Sequence, residues 1–258
     1  MAAQVGCTIG ELTGQYDGAV IATPARTRLP LARQALEIAD IVVCEKPLAL
    51  TTEDAQTIAQ LAPERMYVAE SQCYAGADAL DVRHMARSLQ GGLLGRPVLW
   101  RVNAMTSYRP QSWCTDLAIG GGAFLEGGVH ILTTARVLFG KAVRWQASVQ
   151  CFQGGTGPDT GTLLVDYESG DSLALGIAWG TEGCFTGACQ PLPSGAGLIG
   201  PEKCLSWWPP DNHAAMWTHL ERCFKGEDTP VATLEHAAGA VADVWRCYAA
   251  AEITEPAA

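Results

Sequence analysis

A chain of 258 residues, 48% hydrophobic and 17% charged, is apolar enough to fold around a core as one large domain or two small ones, which excludes intrinsic disorder. Its formal charge of -10 comes without a Lys/Arg cluster, which argues against a nucleic-acid or anionic-membrane partner. No apolar run approaches the roughly 18 residues that span a bilayer, and Met1 to Gly6 lacks the regions of a signal peptide, so the expected location is cytoplasmic. In chain order, Gly18 to Pro24 predicts a short buried strand stopped by its proline. Leu29 to Ala39 predicts a helix with apolar Leu29, Leu31, Ala32, Ala35, Leu36 and Ile38. Ile41-Val42-Val43-Cys44 is a continuous apolar run, as in a strand buried on both faces of a parallel sheet. A helix over Glu53 to Leu61, capped by Thr51 or Thr52, and a strand at Met66 to Ala69 complete a β-α-β-α-β run, hence right-handed crossovers and a parallel sheet. Asp78 to Leu89 is a further helix, ended by Gly91-Gly92.

After Gly95 the pattern changes. Val98 to Met105 is strand-like, Ala123 to Leu138 helical, and 143–151 alternates as a half-buried strand does. Thr162 to Tyr167 and Ser172 to Trp179 predict a hairpin. Its second strand has a bulky face (Leu173, Leu175, Ile177, Trp179) and a flat one (Ala174, Gly176, Ala178), suited to packing helices or another subunit on one side. Helices follow at Met216 to Cys223 and Leu234 to Ala251. The expected fold is α/β + α+β: a partial Rossmann-like parallel sheet over 1–95, then a domain over 96–258 with an open, mostly antiparallel sheet. Ten cysteines without a Cys-x-x-Cys pair read as reduced, packed thiols. A zinc site from Cys184, Cys189, Cys204, His219 and Cys223 has irregular spacing, and no metal is expected.

Two places carry chemistry. Glu45-Lys46-Pro47 falls at a strand's carboxyl end, where open α/β sheets place their sites. Glu45 would favour the Lys46 ammonium, and partial burial would bring it toward acid/base range; the plainer alternative is a polar strand exit. His130 ends Gly120 to His130, with five glycines in the nine positions from 120 to 128. Glycines cost a helix roughly 1 kcal/mol each, which points to close approach of the backbone to a ligand or a neighbour. Glu126 lies one turn before His130 and could share a proton or a hydroxyl with it; a core histidine in a softened helix is the alternative. The chain has no Gly-x-Gly-x-x-Gly between a strand and a helix, so the usual dinucleotide phosphate grip is missing.

Asp17 to Pro24, Cys44-Glu45-Lys46-Pro47, the glycine-rich 120–130 segment and Asp159-Thr160 resemble, in order and spacing, the Gfo/Idh/MocA oxidoreductase family, from about residue 2 to the end. The resemblance implies a Rossmann domain plus an α+β domain whose open sheet often forms a homo-oligomer interface. It also implies hydride transfer between NAD(P) and a small-molecule substrate: a sugar, a cyclitol or a related alcohol. By it Lys46 matches the lysine near the reacting hydroxyl and the nicotinamide, and His130 the acid/base histidine. Thr23 and Pro24, with Glu45, match the strand ends that approach the cofactor. Read from the residues alone, Tyr108, Trp113, Arg101 and Thr133 are candidate substrate contacts; core or interface packing of the aromatics and a solvated arginine are the plainer alternatives. Three departures stand out. The match begins where the family's leading strand, phosphate loop, first helix and next strand are already past. The family's aspartates three after and four before the histidine are Thr133 and Glu126. The histidine shortly after Thr-Pro is Arg28.

Three functions follow. One is family-typical NAD(P) hydride transfer. Another is a non-redox isomerase, lyase or cyclase using Lys46, His130 and Glu126 without a cofactor. The third is a non-catalytic assembly subunit. The strand at 18–24 is further expected to be an edge covered by another chain, a second copy, or Met1 to Tyr16.

Overall fold

The computed structural model describes residues 14–75, 81–106, 113–180, 195–207 and 209–256. The first sheet is built from β1 (Tyr16–Ile21), β2 (Ala39–Glu45) and β3 (Met66–Ala69), parallel and in that order. Helix α1 (Arg28–Ile38) and helix α2 (Thr52–Leu61) are the crossovers. Val42, Val43 and Cys44 are buried, as the central position of β2 requires. β1 spans 16–21 where 18–24 was predicted: Thr23 and Pro24 lie beyond the ladder, and Ala25–Thr27 turn into a short 3-10 helix. Thr51 caps α2, its hydroxyl accepting from the Asp54 amide at 3.2 Å. Among the described residues β1 pairs only with β2, and Val20 is 57% exposed. Met1 to Thr13, part of the segment expected to cover that edge, lies outside the described residues.

Helix α3 (Val82–Gln90), capped by Asp81, leads to the second unit. This has β4 (Leu99–Thr106), a π turn over Phe124–Gly128, α4 (Val129–Phe139), β5 (Ala142–Gln150), β6 (Thr160–Tyr167), β7 (Ser172–Trp179), β8 (Gly195–Ile199), β9 (Cys204–Ser206), α5 (His213–Phe224) and α6 (Leu234–Ala250). Its six strands lie in the order β5-β6-β7-β4-β8-β9. The sheet is mostly antiparallel, with β4 and β7 parallel. β8 and β9 went unpredicted because Gly195-Ala196-Gly197 carries a loop's composition. The predicted helix from Ala123 opens as a π turn, with α geometry only from Val129.

Strand alternation sorts the second sheet's faces. Trp100, Val102, Leu163, Val165, Leu173 and Leu175 are buried on one face. There Phe139 of α4 meets the Trp100 and Tyr167 rings, and α6 crosses behind. Leu99, Leu164 and Ile199 stand exposed on the other face. Helix α6 also joins the two units: it packs on α2, and Trp245 Nε1 donates to the Leu50 carbonyl at 2.8 Å. Among the described residues no helix is long and apolar enough to cross a membrane.

Candidate active site

The apolar β2 delivers Glu45, Lys46 and Pro47 to the carboxyl rim of the parallel sheet. The Lys46-Pro47 peptide is cis. Behind it sits Arg28, buried although it opens α1. Its Nε donates to the Thr23 carbonyl at 2.9 Å, and its Nη1 to the carbonyls of Glu45, at 2.5 Å, and Pro47. Arg28 therefore ties the exits of β1 and β2 together through three backbone carbonyls that accept from Nε and Nη1. The Glu45 carboxylate accepts from the Lys46 amide at 3.0 Å rather than from the ammonium.

The glycines at 120–122 are explained by neighbouring backbone. A Cβ on Gly120 would lie 2.6 Å from the Trp113 carbonyl oxygen, and one on Gly122 would lie 2.6 Å from that of Pro158. Gly121 and Gly122 also hold φ of +75° and +83°. Gly128 lets the start of α4 sit on Leu175 and Ile177 of β7. These contacts fix where the π turn starts, and with it Glu126 and His130.

Lys46 Nζ donates to the Glu126 carboxylate at 3.0 Å and to its backbone carbonyl at 2.8 Å. The ammonium thus sits on the π turn that leads into His130, which follows four residues after Glu126. The expected sharing between Glu126 and His130 gives way to a different pairing. Glu126 serves Lys46, while His130 Nδ1 lies 2.5 Å from Oε1 of Glu70, a residue the sequence reading passed over. Glu70 follows β3 directly and is 1% exposed. A carboxylate just past a third parallel strand, level with Glu45-Lys46, was the available signal.

The remaining candidates scatter. Thr133 is buried on α4 one turn past His130, and its hydroxyl has no partner among the described residues. Trp113 is 39% exposed beside the glycine segment. Arg101 lies exposed on the face of β4 opposite Trp100 and Val102, across the sheet from α4, so strand alternation takes it away from His130. Tyr108 lies outside the described residues. Of the zinc candidates, Cys184 and Cys189 lie outside them too, and His219 Nε2 is 3.0 Å from the Thr229 carbonyl. Among the described residues no group of three or more His, Cys, Asp or Glu could hold a metal.

The strand exits at Thr23-Pro24 and Glu45 stand beside Lys46, tied together by Arg28, and a nicotinamide dinucleotide would have to approach along this rim. The phosphate end finds no glycine turn among the described residues. The turn after β1 is Ala22-Thr23-Pro24, and Gly195-Ala196-Gly197-Leu198-Ile199-Gly200, which has the right spacing, is strand β8 paired with β4.

Residues 5–70 match the oxidoreductase family description "NAD-binding Rossmann fold", and residues 82–187 match "GFO/IDH/MocA C-terminal domain". The chain is 29% identical over 224 residues to the rhizopine catabolism protein MocA of Rhizobium meliloti, across 83% of this chain and 68% of that protein. It is 30% identical over 161 residues to D-apiose dehydrogenase of Paraburkholderia graminis, across 60% of this chain but 42% of that enzyme. Among solved structures, the WlbA dehydrogenase of Bordetella pertussis, in complex with NADH and UDP-GlcNAcA, superposes with a TM-score of 0.74. That match has 18% identity over 94% of this chain and 79% of the other, a likeness of fold.

Proposed function

Since the chain belongs to the Gfo/Idh/MocA oxidoreductase family, we propose that it interconverts a secondary alcohol of a sugar- or cyclitol-like molecule and its ketone, using a nicotinamide dinucleotide. The observation that carries this reading is the meeting of Lys46 with the Glu126 turn that leads into His130. When bound, the dinucleotide supplies the hydride acceptor; Thr23, Pro24 and Glu45 would line it. The chain's own residues handle the proton. Lys46, held twice by Glu126, donates to the reacting oxygen and steadies negative charge on it. His130, backed by Glu70, takes the hydroxyl proton in oxidation and returns it in reduction. Thr133, one turn along the helix, is buried on α4 and takes no part in this step. The D-apiose relative and the cyclitol chemistry of the family support that substrate class. We further place self-association on the outer face of the second sheet, where Leu99, Leu164 and Ile199 are exposed.

The test is a panel of aldoses and cyclitols with NAD+ or NADP+, followed at the reduced-nicotinamide absorbance, for the native chain, Lys46→Ala and His130→Ala. Turnover lost at least about a hundredfold in both variants supports the reading; native rates in both remove it. Turnover of a substrate without any dinucleotide, still dependent on both residues, would reassign the pair to isomerisation, elimination or cyclisation.

A further inference from the structure

We infer that Glu70 is a positioning residue that fixes the tautomer of His130. The inference rests on the reading above that His130 is the acid–base. Glu70 begins the short 3-10 turn Ser71–Cys73 at the end of β3, and that turn packs along α4. Three contacts hold it in place. Asn212, just before α5, donates its amide to the Ser71 carbonyl at 3.3 Å. Cys73 Sγ lies 3.7 Å from Thr134 Oγ1 on α4. The Gln72 amide donates to Glu70 Oε1 at 3.3 Å. The same oxygen meets His130 Nδ1 at 2.5 Å.

An ionised carboxylate only accepts, so the proton between these two atoms belongs to Nδ1. Neutral His130 then carries its lone pair on Nε2, which makes no hydrogen bond among the described residues. In this form the imidazole can accept a substrate proton at Nε2, and the imidazolium so formed is balanced by the carboxylate behind it. Glu70 itself gains and loses no proton. Packing does not explain the choice of residue. The second carboxylate oxygen, Oε2, is buried without a partner, a cost that an apolar side chain of the same length would avoid. The turn is already fastened to α4 through Cys73 and Thr134.

The test compares the native chain with Glu70→Met, which keeps the bulk and loses the acceptor, and Glu70→Gln, which keeps an acceptor without the charge. Long-range proton–nitrogen spectra of histidine-labelled protein, at alkaline pH, read the tautomer directly; His130→Ala assigns the resonance. Native His130 is expected to be protonated on Nδ1, and Glu70→Met to move that proton to Nε2. With the alcohol oxidised fastest in the panel, Glu70→Met should lose at least about a hundredfold in kcat with KM within about threefold, and Glu70→Gln should fall between. An Nε2-protonated native form, a tautomer unchanged in Glu70→Met, or native kcat in that variant overturns the proposal. The spectrum needs no substrate. An Nδ1-protonated His130 in a protein whose His130→Ala variant still turns over would remove the acid–base reading and leave the positioning intact. A turnover that depends on His130 but not on residue 70 would do the reverse.

Discussion

The guanidinium of Arg28 donates to the carbonyl of Pro47, and from the same nitrogen to that of Glu45, so one buried cation brackets Lys46. Replacing it leaves those carbonyls without their donor inside the rim. Arg28→Met is expected to cost about 3 kcal/mol, read as a lower urea midpoint. It should also cut turnover further than the stability loss explains, because Lys46 is no longer held at the rim. Arg28→Lys should recover little, since one ammonium cannot reach the Thr23, Glu45 and Pro47 carbonyls together. Native stability in Arg28→Met would remove this residue from the site's support.

The glycine segment makes a second, graded prediction. Gly122 combines a φ of +83° with a Cβ position 2.6 Å from the Pro158 oxygen, whereas Gly154 has a φ of +79° and open space around it. Gly154→Ala should lose about 1 kcal/mol, the conformational term alone. Gly122→Ala should lose about 3 kcal/mol, since a backbone oxygen must also give way. Because the Ala123 amide donates to Pro158 at 2.7 Å just ahead of the π turn, Gly122→Ala should also disturb Glu126 and lower activity. Equal losses in the two variants would mean the backbone contact is slack.

Much of this arrangement is legible in the sequence. The apolar run Ile41 to Cys44, bounded by helical segments on both sides, predicts the buried parallel strand β2, which sets Lys46 at its carboxyl end. The capped start of α2 and the bulky face of β7 were equally plain, since both depend on local spacing. What stayed hidden depends on pairings distant in sequence. Glu126 was assigned to His130 because they stand one turn apart, yet a π turn and the arrival of Lys46 from the other sheet redirect it. Glu70 lies in no motif, and only the packing of the turn after β3 along α4 gives it a partner. β8 is glycine-rich and forms because β4 offers it an edge.

A third prediction concerns the tie between α4 and α6. Asp243 is fully buried and accepts from Arg136 Nε at 2.7 Å, Arg136 Nη2 at 2.9 Å and Trp145 Nε1 at 2.9 Å. Gly239 makes room for the pair: a Cβ there would fall 2.3 Å from the Arg136 guanidinium carbon. Asp243→Leu alone should cost about 3–5 kcal/mol because it strands a buried cation, while the double change Arg136→Met with Asp243→Leu should recover most of the loss. Chemical unfolding of both variants measures the coupling. A double variant as unstable as the single one would mean the network is held by its geometry and not by its charges.

The joint between α3 and α5 should be sensitive to acid. Arg83 Nη1 donates to Asp228 Oδ1 at 2.9 Å, the Thr229 amide donates to the same oxygen at 2.8 Å, and His219 and Arg222 stand nearby. The Arg83 hydrogen bond first, then that amide, hold the Asp228 carboxyl down at about 2, against an ordinary 3.8. A carboxyl lowered in the folded state contributes stability that is complete above its unfolded value and is lost as pH falls toward the folded one. The contribution should therefore be present at neutral pH and disappear between about pH 4 and pH 2. With 20% of the Asp228 side chain open to water, about 1 kcal/mol is expected, and less in high salt. Unfolding midpoints of Asp228→Asn and the native chain should differ at neutral pH and converge as pH approaches 2. A gap of constant size across that range would show that the joint is held by shape and hydrogen bonds, with no share from the charge.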